Sequence, residues 1–267
     1  MKTLKDHTIL YDEVCPLCNA YTGAFVRTGL LDPDGRAPYQ QLPATTTIDR
    51  TRAADEIALV NKRTGEVHYG IQSLFLIIGH AFPVFRPLFR NRVFAFVMRK
   101  FYRFISYNRR VIMPARNADA SKPSFHAGYR IAWLVFTWLC TAGILHRYSA
   151  LMTPLVPAGG YWRELLICGG QMLWQGLIVL KTDRARVWDY LGTMMTVSFG
   201  GALLLSIVLL IAHFTGPSPL IFTGCFLAVA GLMLLEHIRR TSVLGLHKIL
   251  SFTWVLYRAL LLLVILK

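Results

Sequence analysis

Apolar and polar positions divide this chain into two unlike parts. Through residue 112 the apolar runs are short and punctuated by turns; from residue 128 they are long and nearly unbroken. In the first part, Thr8-Ile9-Leu10-Tyr11 has the length and character of a buried strand. Residues 19–31 read as a helix, Asp32-Pro33-Asp34-Gly35 as a turn, and Tyr39-Gln40-Gln41-Leu42 as a second strand. Glu56-Ile57-Ala58-Leu59-Val60 and Glu66-Val67-His68-Tyr69 flank Lys62-Arg63-Thr64-Gly65, which is a hairpin pattern. Residues 71–80 then read as a helix, and basic helices follow. The order β-α-β, then hairpin and helix, predicts an α/β domain over residues 1–112.

A linker over 113–127 leads to the second part, 128–267, where the pattern predicts an all-α transmembrane bundle of four to five spans. A helix needs about 20 mostly apolar residues to cross the hydrocarbon core. Candidates are 129–145, 165–180, 190–213 and 220–235. The fifth and favoured addition, 249–266, is apolar except for Arg258 near its middle. The Pro- and Gly-rich segment 151–160 and Gly216-Pro217-Ser218-Pro219 read as connections between spans. Tyr161, Trp162, Trp188 and Tyr190 fall where aromatic residues mark membrane interfaces.

Composition sharpens this division. Hydrophobic residues make up 54% of the chain and charged ones 16%, well under the roughly 25% charged residues of soluble domains. The net charge of +15 raises the question of nucleic acid, but its placement points elsewhere. Residues 86–116 carry nine basic side chains, with no acid between Glu66 and Asp119, and phenylalanines are interleaved among them. This reads as a juxtamembrane basic amphipathic stretch near anionic head groups, with some arginines on a solvated helix face. No nucleic-acid recognition motif accompanies it, so the expected partner is the lipid bilayer and not nucleic acid.

Loop charges set the expected orientation. The basic stretch before the first span, the group Lys181, Arg184 and Arg186, and the group Arg239, Arg240 and Lys248 outweigh Arg147 and Arg163 on the other side. The N-terminal domain is therefore expected in the cytoplasm, on a bacterial inner membrane. The segment before Asp12 lacks the apolar core and small-residue cleavage site of a signal peptide, which carries the same expectation.

Candidate chemistry lies in Cys15-Pro16-Leu17-Cys18, set between a predicted strand and a predicted helix. At a helix start, backbone N–H groups and the macrodipole favour the thiolate of the first cysteine. Thiolate is the attacking species in disulfide exchange. Cys15 is thus expected as an exposed nucleophile, with Cys18 one turn on to resolve the mixed disulfide. Pro16 fixes φ and removes a donor that a helix start does not need. Half of a zinc site and an inert chance pair are the alternatives. A structural zinc site takes four ligands, however, and here there is no second cysteine pair, with His7 and His68 the nearest histidines. The strand-motif-helix order favours a redox-active pair needing no other cofactor and no metal.

The stretch Tyr11-Asp12-Glu13-Val14-Cys15-Pro16-Leu17-Cys18 resembles the signature of the DCC family, predicted thiol-disulfide oxidoreductases named for their Asp-Cys-Cys arrangement. Glu13 stands where that family has glycine. Tyr102-Arg103-Phe104-Ile105-Ser106-Tyr107-Asn108-Arg109 is similar to the family's Tyr…Asn-Arg ending. The resemblance spans residues 7–112. It implies a thioredoxin-like fold with Asp12, Cys15 and Cys18 as the functional trio, supported by Tyr11, Pro16, Asn108 and Arg109. Asp12 admits three roles: a proton relay, an electrostatic brake that raises the cysteine pKa, or a cap on the following turn. Thioredoxins usually place a cis-proline just before the strand corresponding to residues 56–60; here Asp55 occupies that neighbourhood, which predicts altered substrate binding or poor turnover.

In the membrane part, Cys140, Cys168 and Cys225 are scattered singly, as packing residues. Arg258 is the clearest polar intrusion, and Gln171 and Gln175, at comparable depth, are expected to hydrogen-bond to it. A site for a quinone or an anionic substrate competes there with simple snorkelling. The functional expectation is a membrane-anchored thiol-disulfide oxidoreductase acting on a thiol or disulfide substrate, a membrane protein included. The alternative is a transport or scaffold protein whose head is a redox-sensing or assembly module, and a third reading is metal handling through the cysteine pair.

Overall fold

Strand β1 (His7–Tyr11) buries Ile9 and Leu10 on opposite faces, as successive strand residues must. Ile9 joins a core with Leu31, Leu59 and Ile77, and Leu10 joins another with Tyr39, Ala53 and Ala58. Burial on both faces is what the unbroken apolar run of this strand encodes. These features come from a computed structural model describing residues 2–42, 48–115, 124–214, 216 and 218–266. The chain divides into two units, Met1–Tyr129 and Arg130–Lys267.

In the first unit, β1 is followed by α1 (Pro16–Arg27), β2 (Arg36–Pro38), α2 (Arg50–Asp55), β3 (Ala58–Asn61), β4 (Val67–Tyr69), α3 (Ile71–Ala81), α4 (Arg86–Arg90) and α5 (Arg92–Ile112). The strands form one mixed sheet in the order β2-β1-β3-β4. β2 runs parallel to β1, with Leu10 opposite Ala37; β3 runs antiparallel to β1, with Leu10 opposite Ala58; β4 runs antiparallel to β3. The predicted hairpin is present, and its turn is organised by Asn61, whose Oδ1 accepts from the N–H of Arg63 and Thr64.

Three local expectations need correction. The predicted helix over 19–31 starts earlier, at Pro16, and stops at Arg27. Gly29 adopts φ +71°, and Leu30 N–H bonds Phe25 O while Gly29 N–H bonds Val26 O, a Schellman closure that only glycine enters without strain. The second strand is Arg36–Pro38, and Tyr39–Gln41 form a single 3-10 turn instead of a strand. Pairing to Ile9–Tyr11 fixes that register, and Tyr39 turns into the core. Helix α2, which the pattern did not announce, is capped by Asp49 accepting from Arg52 N–H at 2.9 Å.

The basic stretch forms α4 and α5, the latter capped by Asn91. Its arginines do not all face solvent or lipid: Arg109 and Arg110 are buried in the head. The other face of α5 exposes Val93, Phe96, Val97 and Phe101. Of the linker, residues 116–123 lie outside the described residues.

The second unit contains most of α6 (Ala127–Ser149), then α7 (Tyr161–Thr182), α8 (Val187–Ala212), α9 (Pro219–Val243) and α10 (Ile249–Ile265). Four of these, α6 to α9, are long and apolar enough to cross a membrane. Their outward residues are apolar too, Leu166, Leu173 and Leu177 on α7 being 62–73% exposed. A face of this kind suits hydrocarbon and not water, so the chain has the build of an integral membrane protein. The 17 residues of α10 extend about 26 Å, short of the roughly 30 Å hydrocarbon core. In the predicted turn between α8 and α9, Pro217 lies outside the described residues.

Candidate active site

The turn between β1 and α1 is built locally. Cys15 is the N-cap of α1 and Pro16 its first residue, where the missing N–H is no loss. Cys15 N–H bonds Asp12 O at 3.1 Å, and Val14 N–H bonds Asp12 Oδ1 at 3.1 Å, so Asp12 folds the approach to the helix. The Cys15 sulfur accepts from Cys18 N–H at 3.5 Å, taking the place that a serine or aspartate oxygen holds in an ordinary cap. Both cysteines are free thiols.

Contrary to the expected exposed nucleophile, Cys15 is 0% exposed and Cys18 4%. Helix α5 presents Tyr102, Ser106 and Arg109 at spacings of four and three, one helical face. Together with the start of α1, that face lines a cleft of about 50 Å³, with Asp12, Cys18, Tyr21, Tyr102, Ser106 and Arg109 among its walls. The cleft reaches Cys18 and not Cys15.

Buried charges organise the surroundings. Arg110 Nη2 donates to Asp12 Oδ2 at 2.7 Å and Arg109 Nη2 to the same oxygen at 3.4 Å. Gln40 Nε2 donates to Asp12 Oδ1 at 2.9 Å. Arg109 also donates to the carbonyls of Asp55 (2.9 Å) and Ala54, and to Ser106 Oγ, while Ser106 Oγ donates to Asp55 O at 2.6 Å. Glu56, also buried, pairs with Arg103 at 3.0 Å, and Ile57 N–H donates to Tyr102 Oη at 3.0 Å. These contacts hold the approach to β3, where no proline stands.

The two sulfurs titrate far apart. The Cys18 thiol donating to the Cys15 sulfur is the main reason that Cys15 falls from 9.0 to about 6. Cys18 N–H and the Arg109 charge act the same way, while burial and the Asp12 charge oppose. Cys18 is pushed far up, first because Cys15 holds its proton and then by burial. Near neutrality the pair is one thiolate and one thiol, the ionisation that disulfide exchange uses. Among the described residues no hydrogen bond links the Asp12 carboxylate to either sulfur. It therefore caps the turn and acts on the thiolate through space.

The remaining candidates are dispersed. Tyr11 ends β1 with Arg36 stacked on its ring at 4.2 Å, and Arg36 in turn donates to Asn19 Oδ1 at 2.8 Å. Asp55 offers its carbonyl to Arg109 and its carboxylate to Ser124 N–H at 2.6 Å. Asn108 donates to the carbonyls of Phe104 and Tyr129. Arg110, Ser106 and Glu56 were not singled out from the sequence. The stripe Tyr102, Ser106 and Arg109 was the available signal. His7 and His68 do not join the cysteines, and among the described residues no three His, Cys, Asp or Glu side chains cluster as metal ligands.

In the second unit, Gln175 does not bond Arg258 as expected. Its Nε2 donates to Leu250 O and Thr253 Oγ1 at 3.3 Å each, and its Oε1 accepts from Tyr190 Oη at 2.8 Å. Tyr190 Oη also meets His237 Nε2 at 3.1 Å, and His237 Nδ1 meets Ser251 Oγ at 3.2 Å. One polar chain thus joins α7, α8, α9 and α10. Arg258 instead stacks on Trp254, its guanidinium carbon 3.9 Å from the ring centroid.

The chain matches no family model, no curated protein and no solved structure.

Proposed function

Because the comparisons assign no family, function rests on the head's own chemistry, and we propose that the protein is a membrane-anchored thiol-disulfide oxidoreductase with a thioredoxin-like head of the DCC type. The observation that carries this reading is Cys15 at the N-cap of α1 with its sulfur held as a thiolate by Cys18. The β2-β1-β3-β4 sheet, in which β3 alone runs against the other strands and α1 crosses between β1 and β2, supports the thioredoxin-like reading. The Tyr102 and Arg109 contacts give a structural use to the residues that resemble the family's ending.

In the proposed reaction the Cys15 thiolate attacks one sulfur of a substrate disulfide, and the other sulfur leaves as a thiolate that takes up a proton. Cys18 then gives up its proton and attacks Cys15, releasing the second substrate thiol and leaving a Cys15–Cys18 disulfide. Two electrons pass to the substrate, and the reverse sequence oxidises a dithiol. Arg109 stabilises the anionic sulfur, and the head must open locally for a substrate disulfide to reach the buried Cys15. The loop charges support a cytoplasmic head on a bacterial inner membrane.

The Cys18→Ser variant is the test. It is expected to accumulate a mixed disulfide through Cys15, and the wild-type pair to titrate as a reversible two-electron couple against glutathione. A variant that traps nothing, together with a pair that shows no such couple, sinks the reading. Burial of both sulfurs favours a second one, in which the head senses redox state for a transport or scaffold bundle. Full function in a Cys15→Ala, Cys18→Ala double variant would select it.

A further inference from the structure

Three buried donors along the seam between α7 and α10 have no acceptor. They are Gln171 Nε2, Trp254 Nε1 and Arg258 Nε, each without a hydrogen-bond partner among the described residues. Gln171 is 4% exposed and Trp254 2%.

The register of the two helices brings them to one level. Gln175 bonds Leu250 O and Thr253 Oγ1 one turn to one side, and Tyr257 Oη donates to Ile167 O at 3.0 Å one turn to the other. Gln171 lies between these rungs, level with Trp254, and Arg258 stacks on Trp254. Neighbouring polar groups are already engaged: His237 stacks on Trp254 while its ring nitrogens meet Tyr190 and Ser251. Glu164, the one acid of α7, is held by Arg163 at 2.7 Å, and Arg258 forms no ion pair among the described residues.

Unsatisfied donors and an uncompensated cation are costly where no water reaches, and they mark binding sites within spans. Three unpaired donors beside a positive charge, with no acid, fit a group that accepts and is negative. A guanidinium suits the paired oxygens of carboxylate or phosphate. The seam is flanked by outward side chains with apolar surface, Trp174 at 38% exposure, which meets Tyr257, and Val255 at 41%, a surface for an acyl chain and not for a free ion.

We propose that the α7–α10 seam binds the oxyanion head, carboxylate or phosphate, of an anionic amphiphile, with Arg258 as counter-charge and Gln171 and Trp254 as donors. This site is independent of the cysteine chemistry and stands or falls separately from it.

The test uses the full chain in phosphatidylcholine nanodiscs and reads Trp254 fluorescence as the difference between wild type and Trp254→Phe. Dibromostearate is expected to quench that signal saturably, at lower concentration than its uncharged methyl ester. Brominated phosphatidylglycerol in its place, against brominated phosphatidylcholine, identifies a phosphate head. Arg258→Gln is expected to weaken binding about tenfold, the size of a charge-assisted hydrogen bond, and Gln171→Leu about threefold. If Arg258→Gln does not fold, Arg258→Lys and Gln171→Leu carry the comparison, with Lys retaining more affinity than a neutral loss would allow. Equal quenching by acid and ester, with no preference for brominated phosphatidylglycerol over brominated phosphatidylcholine, overturns the proposal. So do affinities unchanged in Gln171→Leu and Arg258→Lys, or displacement by inorganic phosphate alone.

Discussion

Arg110 and Asp12, ninety-eight positions apart in the sequence, meet in the interior of the head with Nη2 2.7 Å from Oδ2. Their side chains are 8% and 1% exposed. Arg109 shares the same oxygen, so one carboxylate, three residues before Cys15, answers two buried guanidinium groups two and three residues from the end of α5. The pair ties the last turn of α5 to the turn that carries Cys15, so the stability of the head and the setting of that sulfur depend on the same contact.

Removing Asp12 therefore has two effects of opposite benefit. Asp12→Asn removes the buried carboxylate that Arg109 and Arg110 share and is expected to cost about 3–5 kcal/mol, seen as faster hydrogen exchange across β1 and α1. The same change deletes a charge that opposes the thiolate, so the Cys15 pKa is expected to fall below its value of about 6. Thiolate absorbance against pH reads this directly; a rise would contradict a through-space role.

Cys18→Ala should move Cys15 the other way. Its thiol donor is the main cause of the lowered pKa, so without it the titration shifts up from about 6 toward 9.0. Wild-type Cys15 is then mostly thiolate at neutral pH and loses reactivity as pH falls through 6, whereas the variant is mostly protonated at neutrality. The comparison requires the Cys15→Ala protein as the absorbance blank.

Tyr102→Phe removes the oxygen that accepts from the buried Ile57 N–H. An orphaned buried donor costs about 1–3 kcal/mol. Exchange of the Ile57 amide should accelerate accordingly, with the neighbouring β3 amides following less. Unaltered exchange at Ile57 would mean that another acceptor replaces the phenol.

Within the bundle, Tyr190 and Gln175 are coupled by a 2.8 Å hydrogen bond. A double-mutant cycle of Tyr190→Phe and Gln175→Leu should give a coupling of about 0.6 kcal/mol, the usual scale for such bonds between membrane helices. Unfolding in mixed micelles by a denaturing detergent supplies the four free energies. A coupling indistinguishable from zero would remove this chain of polar groups from the forces joining the four helices.

What the sequence determined by itself is whatever depends on neighbours along the chain. The apolar run of β1, the hairpin between β3 and β4, the cysteine pair set between a strand and a helix, and the long apolar helices all follow from local pattern, because backbone propensity, capping and span length act over a few residues to a few turns. Tertiary structure alone decided that Cys15 is covered, that Arg109 and Arg110 turn inward from a stretch rich in surface-like charge, and that Gln175 pairs with Tyr190 while Arg258 stacks on Trp254. Those outcomes join residues up to a hundred positions apart. No local rule selects between a basic helix face left in solvent and one drawn to a buried carboxylate, since that balance of desolvation against pairing exists only once the chain has brought the partners together.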